Sequence, residues 1–279
     1  MVFRWLGGRG ARQKEIDFQM ARLTPACWQR ALAAHSFLRG LSAQEEAALK
    51  QRTAWVLASK SFCGAHGLAL SFEMQLSIAL QAALPVMQLD PRLYEGWTEI
   101  IVYPAGFLVP RTEVDEAGVV HEYIEEASGE AWEGGPLVLS WHDVQPGHGD
   151  EVNVVIHEFV HKLDLQCGDA DGVPSLASHT EISPARWADV LHDTWSHFEH
   201  MLTDAEDSIP RDVDPESEAA MIYFSHLPLD PYAATDTAEF FAVSAEAFFL
   251  SPQGLAHWYP DWYALLSTYF RQDPLQRLG

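Results

Sequence analysis

The stretch Asn153–Asp169 reads NVVIHEFVHKLDLQCGD, and at its centre stands HEFVH, with His157, Glu158 and His161. Wound as a helix at about 100° per residue, it sets His161 about 40° from His157, with Asp164 close on the other side and Glu158 flanking. Val152, Val155, Ile156, Phe159 and Leu163 gather on the far side. One face is therefore apolar and packs, while the other carries two imidazoles one turn apart. Histidines at i and i+4 can share one metal ion, and the intervening Glu then points at a water on that metal. Zinc suits the set, because it takes imidazole nitrogen and carboxylate oxygen and a catalytic site keeps a fourth position open. The competing reading is two solvated histidines that fall at this spacing by chance. The flanks oppose it: Val154, Val155 and Ile156 lead in, Phe159, Val160 and Leu163 follow, and Lys162 is the only evident solvent residue. Gly168 is placed to end the helix, where a left-handed residue is needed.

The rest of the composition narrows the function classes. The 279 residues carry 17 Lys+Arg against 40 Asp+Glu, a formal net charge of -23. Such a surface disfavours nucleic-acid backbones and anionic membranes. The length fits one large domain or two small ones. Cys27, Cys63 and Cys167 are scattered and odd in number, with no CxxC, which fits a reducing cytoplasm. Arg4, Arg9, Arg12 and Lys14 lead into no apolar run, so no signal peptide is expected. No run has the length of a membrane span.

Along the chain, residues 1–20 read as a flexible arm broken by Gly7, Gly8 and Gly10. Thr24-Pro25 opens a helix to about Arg39, and Ser42 with Glu45 forms a capping box for another to about Ser59. Phe72–Leu84 is a third, and Trp28, Trp55 and Phe72 are expected in its core. Tyr94 and Trp97 are expected to pack. Thr98–Pro104, Val119–Ala127 and Pro136–Trp141 (PLVLSW) read as strands, with SGEAWEGG as turn and the segment Pro146–Asp150 as loop. His121 and His142 are strand-edge histidines. Ser183-Pro184 opens a further helix, Thr203–Pro215 reads as acidic loop, Asp236–Leu250 as helix, and Trp258–Phe270 as a last aromatic one.

A third metal ligand is needed. Asp164 is too near on the same helix and suits an acceptor that orients an imidazole N–H. His179, Glu181, His226, Glu239 and Glu246 are the downstream candidates. Glu239 and Glu246 share one face at i and i+7, yet Glu239 could equally complete a capping box with Asp236. Spacing leaves these alternatives open.

HEFVHKLD followed by GVP, then PYAATDTAEFFAVSAEAFF and the ending YFRQDPLQRL, resemble the bacterial Mlc titration factor A family, as do IIVYPAGFLV and PLVLSWHDV. The resemblance runs from about Leu38 to Leu278, and Leu202–Pro231 reads as an acidic extension relative to shorter members. It implies a cytoplasmic zinc metallopeptidase of the gluzincin type, with aminopeptidase activity, one zinc ion per chain, and binding to Mlc, a glucose-responsive repressor of phosphotransferase genes. By the resemblance, His157, His161 and Glu239 are metal ligands, Glu158 is the catalytic glutamate, and Tyr232 is a tyrosine close to the site. The expected fold is α+β and mainly helical: an N-terminal helical layer (21–90) and a zincin-like catalytic part (91–279) with a small sheet beside the HExxH helix, forming one domain over 21–279. The expected chemistry is hydrolysis of a peptide held along PLVLSW, with neither direct nucleic-acid binding nor membrane. The rival is a non-enzymatic protein that sequesters a repressor around a structural or vestigial zinc. An intact Glu158 opposes it, because a structural zinc has no use for a base.

Overall fold

The computed structural model describes residues 3–114, 120–147, 152–215 and 217–278. Val119 and residues 148–150 of the expected loop lie outside them. The protein is mainly helical with a small mixed sheet, an α+β chain. It divides into two compact units, residues 1–159 and 160–279.

In the first unit, helices α1 (Phe3–Arg22), α2 (Pro25–Ala33) and α3 (Ala43–Ser59) precede strand β1 (Ser61–Gly64) and helix α4 (Phe72–Ala83). The segment expected as an arm is thus helical. Its glycines each cost about 1 kcal/mol of helix propensity, but Ile16 and Gln19 are buried and α1 packs on α3. The start signals work as read: Thr24 Oγ1 accepts from Cys27 N–H ahead of Pro25, and Ser42 and Glu45 make a reciprocal capping box. Trp28 and Trp55 are core, whereas Phe72 is only half-buried, with the Arg22 guanidinium 3.7 Å over its ring.

Strands β2 (Glu99–Tyr103), β3 (Phe107–Val114), β4 (Val120–Ala127), β5 (Gly129–Ala131) and β6 (Leu137–Ser140) follow, then the short helix α5 (Trp141–Val144) and α6 (Val154–Asp164). The main sheet has the order β1-β2-β6-β5; β1-β2 and β2-β6 are parallel and β6-β5 is antiparallel. All four residues of β6 are buried, as a central strand covered on both faces requires. β3 and β4 form a separate antiparallel ribbon, so β4 does not pair with β6. Part of the expected turn SGEAWEGG is strand β5. Ser61–Gly64 and Gly129–Ala131 escape the sequence reading because three or four residues show no periodicity.

The second unit continues α6 without a break and adds α7 (Pro184–Asp207), α8 (Met221–Phe224), α9 (Thr237–Leu250), α10 (Pro252–Trp258), α11 (Pro260–Phe270) and α12 (Pro274–Leu278). Helix α7 runs five residues into the expected acidic loop, carried by buried Ala205. The helix expected over Trp258–Phe270 starts at Pro260 as α11, while Trp258 closes α10, which was not expected; the two are parted at Tyr259 because Pro260 cannot continue α10 but fits the first turn of α11. The core is aromatic: the Trp187 ring meets Phe241, Trp262 and Tyr269 at centroid distances of 5.7, 5.0 and 5.3 Å. Edge-to-face pairs of this kind add about 0.5–1.5 kcal/mol each beyond burial. Among the described residues no helix is long and apolar enough to cross a membrane.

Candidate metal centre

Helix α6 is fixed at its start by Asn153. The Asn153 Oδ1 accepts from Ile156 N–H at 2.9 Å, and its Nδ2 donates to Gln81 Oε1 of α4 at 2.7 Å. Asn is among the best N-cap residues, so this signal was present in the sequence and was missed. The apolar face packs as its periodicity demands: Val155, Ile156, Phe159, Val160 and Leu163 are buried. Phe159 meets Tyr94 and Trp97 at 5.1 and 5.6 Å, the packing expected of that pair. Val152 lies outside the helix and is exposed. Lys162 corrects the reading more sharply, being 1% exposed rather than solvated. The helix is enclosed almost all round, and only His157 and His161 of the motif stay half-buried.

Glu158 is 6% exposed. Strand β5 closes over it: a Cβ on Gly129 would stand 2.5 Å from Glu158 Oε1 and 2.6 Å from Val154 Cγ1. The backbone at 129 can therefore approach the carboxylate only as glycine. Sequence reading saw this glycine as a turn residue.

Glu239 lies in the first turn of α9. Asp236 caps that helix by accepting from Glu239 N–H at 2.8 Å, which is half of the box expected from D-x-x-E. The Glu239 Oε2 stands 3.2 Å from His161 Nε2. His157, His161 and Glu239 each offer one ligand atom, and these atoms lie within 4.8 Å of one another. Two ligand atoms held about 2.0–2.1 Å from a tetrahedral zinc stand about 3.3 Å apart, so the His161–Glu239 spacing and the donor set both fit that ion. The other candidates lie elsewhere. Glu181 and His226 are exposed, Glu246 is buried along α9, and His179 is buried with its ring 5.0 Å from Tyr269. Burial, helped by Arg271, lowers the His179 pKa. Tyr232 is 46% exposed on a 3-10 turn, Pro231–Ala234, just ahead of α9, where Asp230 accepts from its N–H. His142 is an exposed partner of Asp143 at 2.9 Å.

Two further expectations change. Helix α6 stops at Asp164, four residues before Gly168, although Gly168 does take positive φ in the loop beyond. Asp164 is fully buried, and its Oδ2 accepts from Gly172 N–H at 2.7 Å, while Oδ1 has no hydrogen-bond partner among the described residues. It holds a loop rather than an imidazole. Burial raises its pKa to about 6 against the opposing Gly172 hydrogen bond.

The family model described as glucose-regulated metallo-peptidase M90 matches residues 9–271. A Serratia proteamaculans protein named Mlc titration factor A is 39% identical over 256 residues, 91% of this chain and 90% of its own. A Yersinia enterocolitica protein of the same name is 36% identical over 279 residues, 99% of this chain and 94% of its own. With a matched stretch that spans the HEFVH helix and α9, the chain belongs to the M90 metallopeptidase family of the Mlc titration factors.

Proposed function

We propose that the protein is a zinc-dependent peptidase, acting as an aminopeptidase, in which His157, His161 and Glu239 hold the ion and Glu158 is the base. The observation that carries this reading is the convergence of three ligand atoms of zinc-binding type beside a buried glutamate of the same helix. A sheet lying over the HExxH helix supports a zincin-like catalytic part. Zinc in such a set acidifies water towards a pKa of about 7 and polarises a carbonyl. Glu158 takes a proton from the attacking water as its oxygen adds to the scissile carbonyl carbon. The same carboxyl then gives that proton to the leaving nitrogen as the C–N bond breaks. The Tyr232 hydroxyl is assigned to donate to the tetrahedral oxyanion.

The peptide cannot lie along PLVLSW as first expected, because β6 has β2 on one side and β5 on the other. The sheet's edge strands are β1 and β5, and it is β5 that touches Glu158. Ser128 O accepts from Ser140 N–H and Trp132 N–H donates to Pro136 O, so residues 128, 130 and 132 face the sheet. By the alternation of an antiparallel ladder, Gly129 and Ala131 turn their N–H and C=O outward. An extended substrate added there is held by main-chain hydrogen bonds at the glycine that touches Glu158.

A second reading has its own support: both relatives carry a name that describes titrating Mlc. On it, the chain also binds an Mlc-like repressor, and the metal site serves that binding alone. Metal analysis of the purified protein, with hydrolysis of amino-acid p-nitroanilides before and after chelation, tests the choice. About one zinc per chain with chelator-sensitive hydrolysis supports the peptidase. Stoichiometric zinc without hydrolysis of any such substrate or of unblocked peptides supports the binding protein.

A further inference from the structure

We infer that Asp164 and Gly172 are positioning residues that set the separation of His161 and Glu239, an inference that rests on the metal-centre reading above. Asp164 ends α6, three residues after His161, and its Oδ2 takes Gly172 N–H at 2.7 Å in a fully buried setting. Gly172 O accepts from Trp187 Nε1 at 2.8 Å, and Trp187 is itself fully buried. The glycine is thus held from both sides of its peptide. Its third contact is steric. A Cβ at 172 would overlap the carbonyl oxygen of Thr237 and stand 3.0 Å from its carbonyl carbon and 2.9 Å from Leu191 Cδ2. Thr237 is the first residue of α9, two before Glu239. Gly172 also has φ +80, which a side chain would strain.

The path from one ligand to the other is therefore short and stiff. It runs through the last turn of α6, one buried hydrogen bond, one backbone contact without room for a methyl group, and the first turn of α9. The side chain that lies on it, Asp164, is short, fully buried and held by its hydrogen bond to Gly172. A shift of well under an ångström at Gly172 passes to the start of α9, and metal affinity depends on ligand positions at that scale. The role is geometric and needs an oxygen acceptor at Asp164 rather than its charge. The Asp164 Oδ1 has no hydrogen-bond partner among the described residues, and neither has the hydroxyl of Tyr269, which feels the Asp164 charge. An asparagine can keep the acceptor for Gly172 and place its amide nitrogen where Oδ1 stands.

The test measures zinc affinity by competition with a chromogenic chelator, and the visible absorption of the cobalt-substituted protein, which reports ligand geometry. Gly172→Ala and Asp164→Ala should weaken zinc at least tenfold and change the cobalt bands, whereas Asp164→Asn should stay within about threefold of wild type. Leu255→Ala, a core truncation in α10 away from this path, should lose stability but keep zinc affinity and the cobalt spectrum. Wild-type affinity and spectrum in folded Gly172→Ala overturn the inference. So does an Asp164→Asn variant as weak as Asp164→Ala, which makes charge the cause, or equal weakening by Leu255→Ala, which makes it general destabilisation. If Gly172→Ala does not fold, the Asp164 pair decides alone. Wild-type protein that binds no zinc instead removes the metal-centre reading itself.

Discussion

Glu239 reaches the His161 imidazole while Glu158, on the histidines' own helix, is buried under Gly129, and these different neighbours give the two carboxylates separable proposed roles. Glu158→Gln keeps the shape of the side chain but cannot accept the proton, so zinc content should stay near wild type while hydrolysis falls by at least about a hundredfold. Metal analysis and kcat together check this; most activity retained would remove Glu158 as the base. Glu239→Ala should lower zinc affinity by more than the roughly 10–100-fold typical of losing a supporting group. Glu246→Ala, altering a buried carboxylate on the same helix, should cost stability more than zinc. Full zinc in Glu239→Ala beside empty Glu246→Ala would exchange them. Asp164 gives the metal-free protein a pH signature. Its carboxyl has a folded pKa of about 6 against about 4 in the unfolded chain. Between those values the native state holds a proton that the unfolded state has released, so stability from this group falls as pH rises through the window. Asp164→Asn should therefore gain on wild type from pH 4 to pH 7 by on the order of 3 kcal/mol, read from urea unfolding of the chelated proteins. A pH-independent difference would remove the assignment.

At the scale of elements, the sheet edge and the metal helix meet at one glycine. Gly129→Ala puts a methyl group into the Glu158 carboxylate and Val154, and the carboxylate is the part able to move. The variant should keep zinc while kcat drops at least tenfold, because a displaced base no longer meets the proton it must take. Unchanged kcat in a folded variant would show that β5 does not constrain the base. This contact also marks the limit of what the sequence discloses. A periodic pattern specifies a helix and its buried face, so α6, α9 and the capping box at Ser42 are legible. The sequence does not say what covers the other face, and Lys162 therefore reads as solvated although it is buried. Nor does it distinguish a turn glycine from one required by close approach, which is how Gly129 and β5 were missed. Glu239 stayed ambiguous because D-x-x-E serves a cap and a ligand alike; in the fold, the Asp236 carboxylate takes the Glu239 N–H while the Glu239 side chain reaches His161. Asp164 misled for a related reason: three residues from His161, it is near enough in sequence to support an imidazole, but the backbone N–H of Gly172 claims it first.

Over the whole molecule, the chemistry is concentrated and the charge is not. The proposed ligands and base occupy one helix and the first turn of another, while the net charge of -23 comes from acidic residues spread along the chain. A protein partner needs a surface patch of roughly 800 Å² on each side. Replacing one carboxylate oxygen of Glu158, a residue 6% exposed, changes almost nothing of such a patch. If the chain binds an Mlc-like repressor, binding and hydrolysis should separate. Glu158→Gln should capture the repressor with wild-type affinity, within about twofold, and cleave nothing. A reduction in charge on the acidic surface, by contrast, should slow association and flatten its dependence on salt without touching the chemistry. The measurement is titration of the purified repressor with wild type and Glu158→Gln, each checked for zinc and folding. Equal affinities place the partner's footprint outside the centre. A large loss of binding in the folded, zinc-loaded variant would mean that the repressor is recognised through the buried base, and the proposed separation of the two activities would fail.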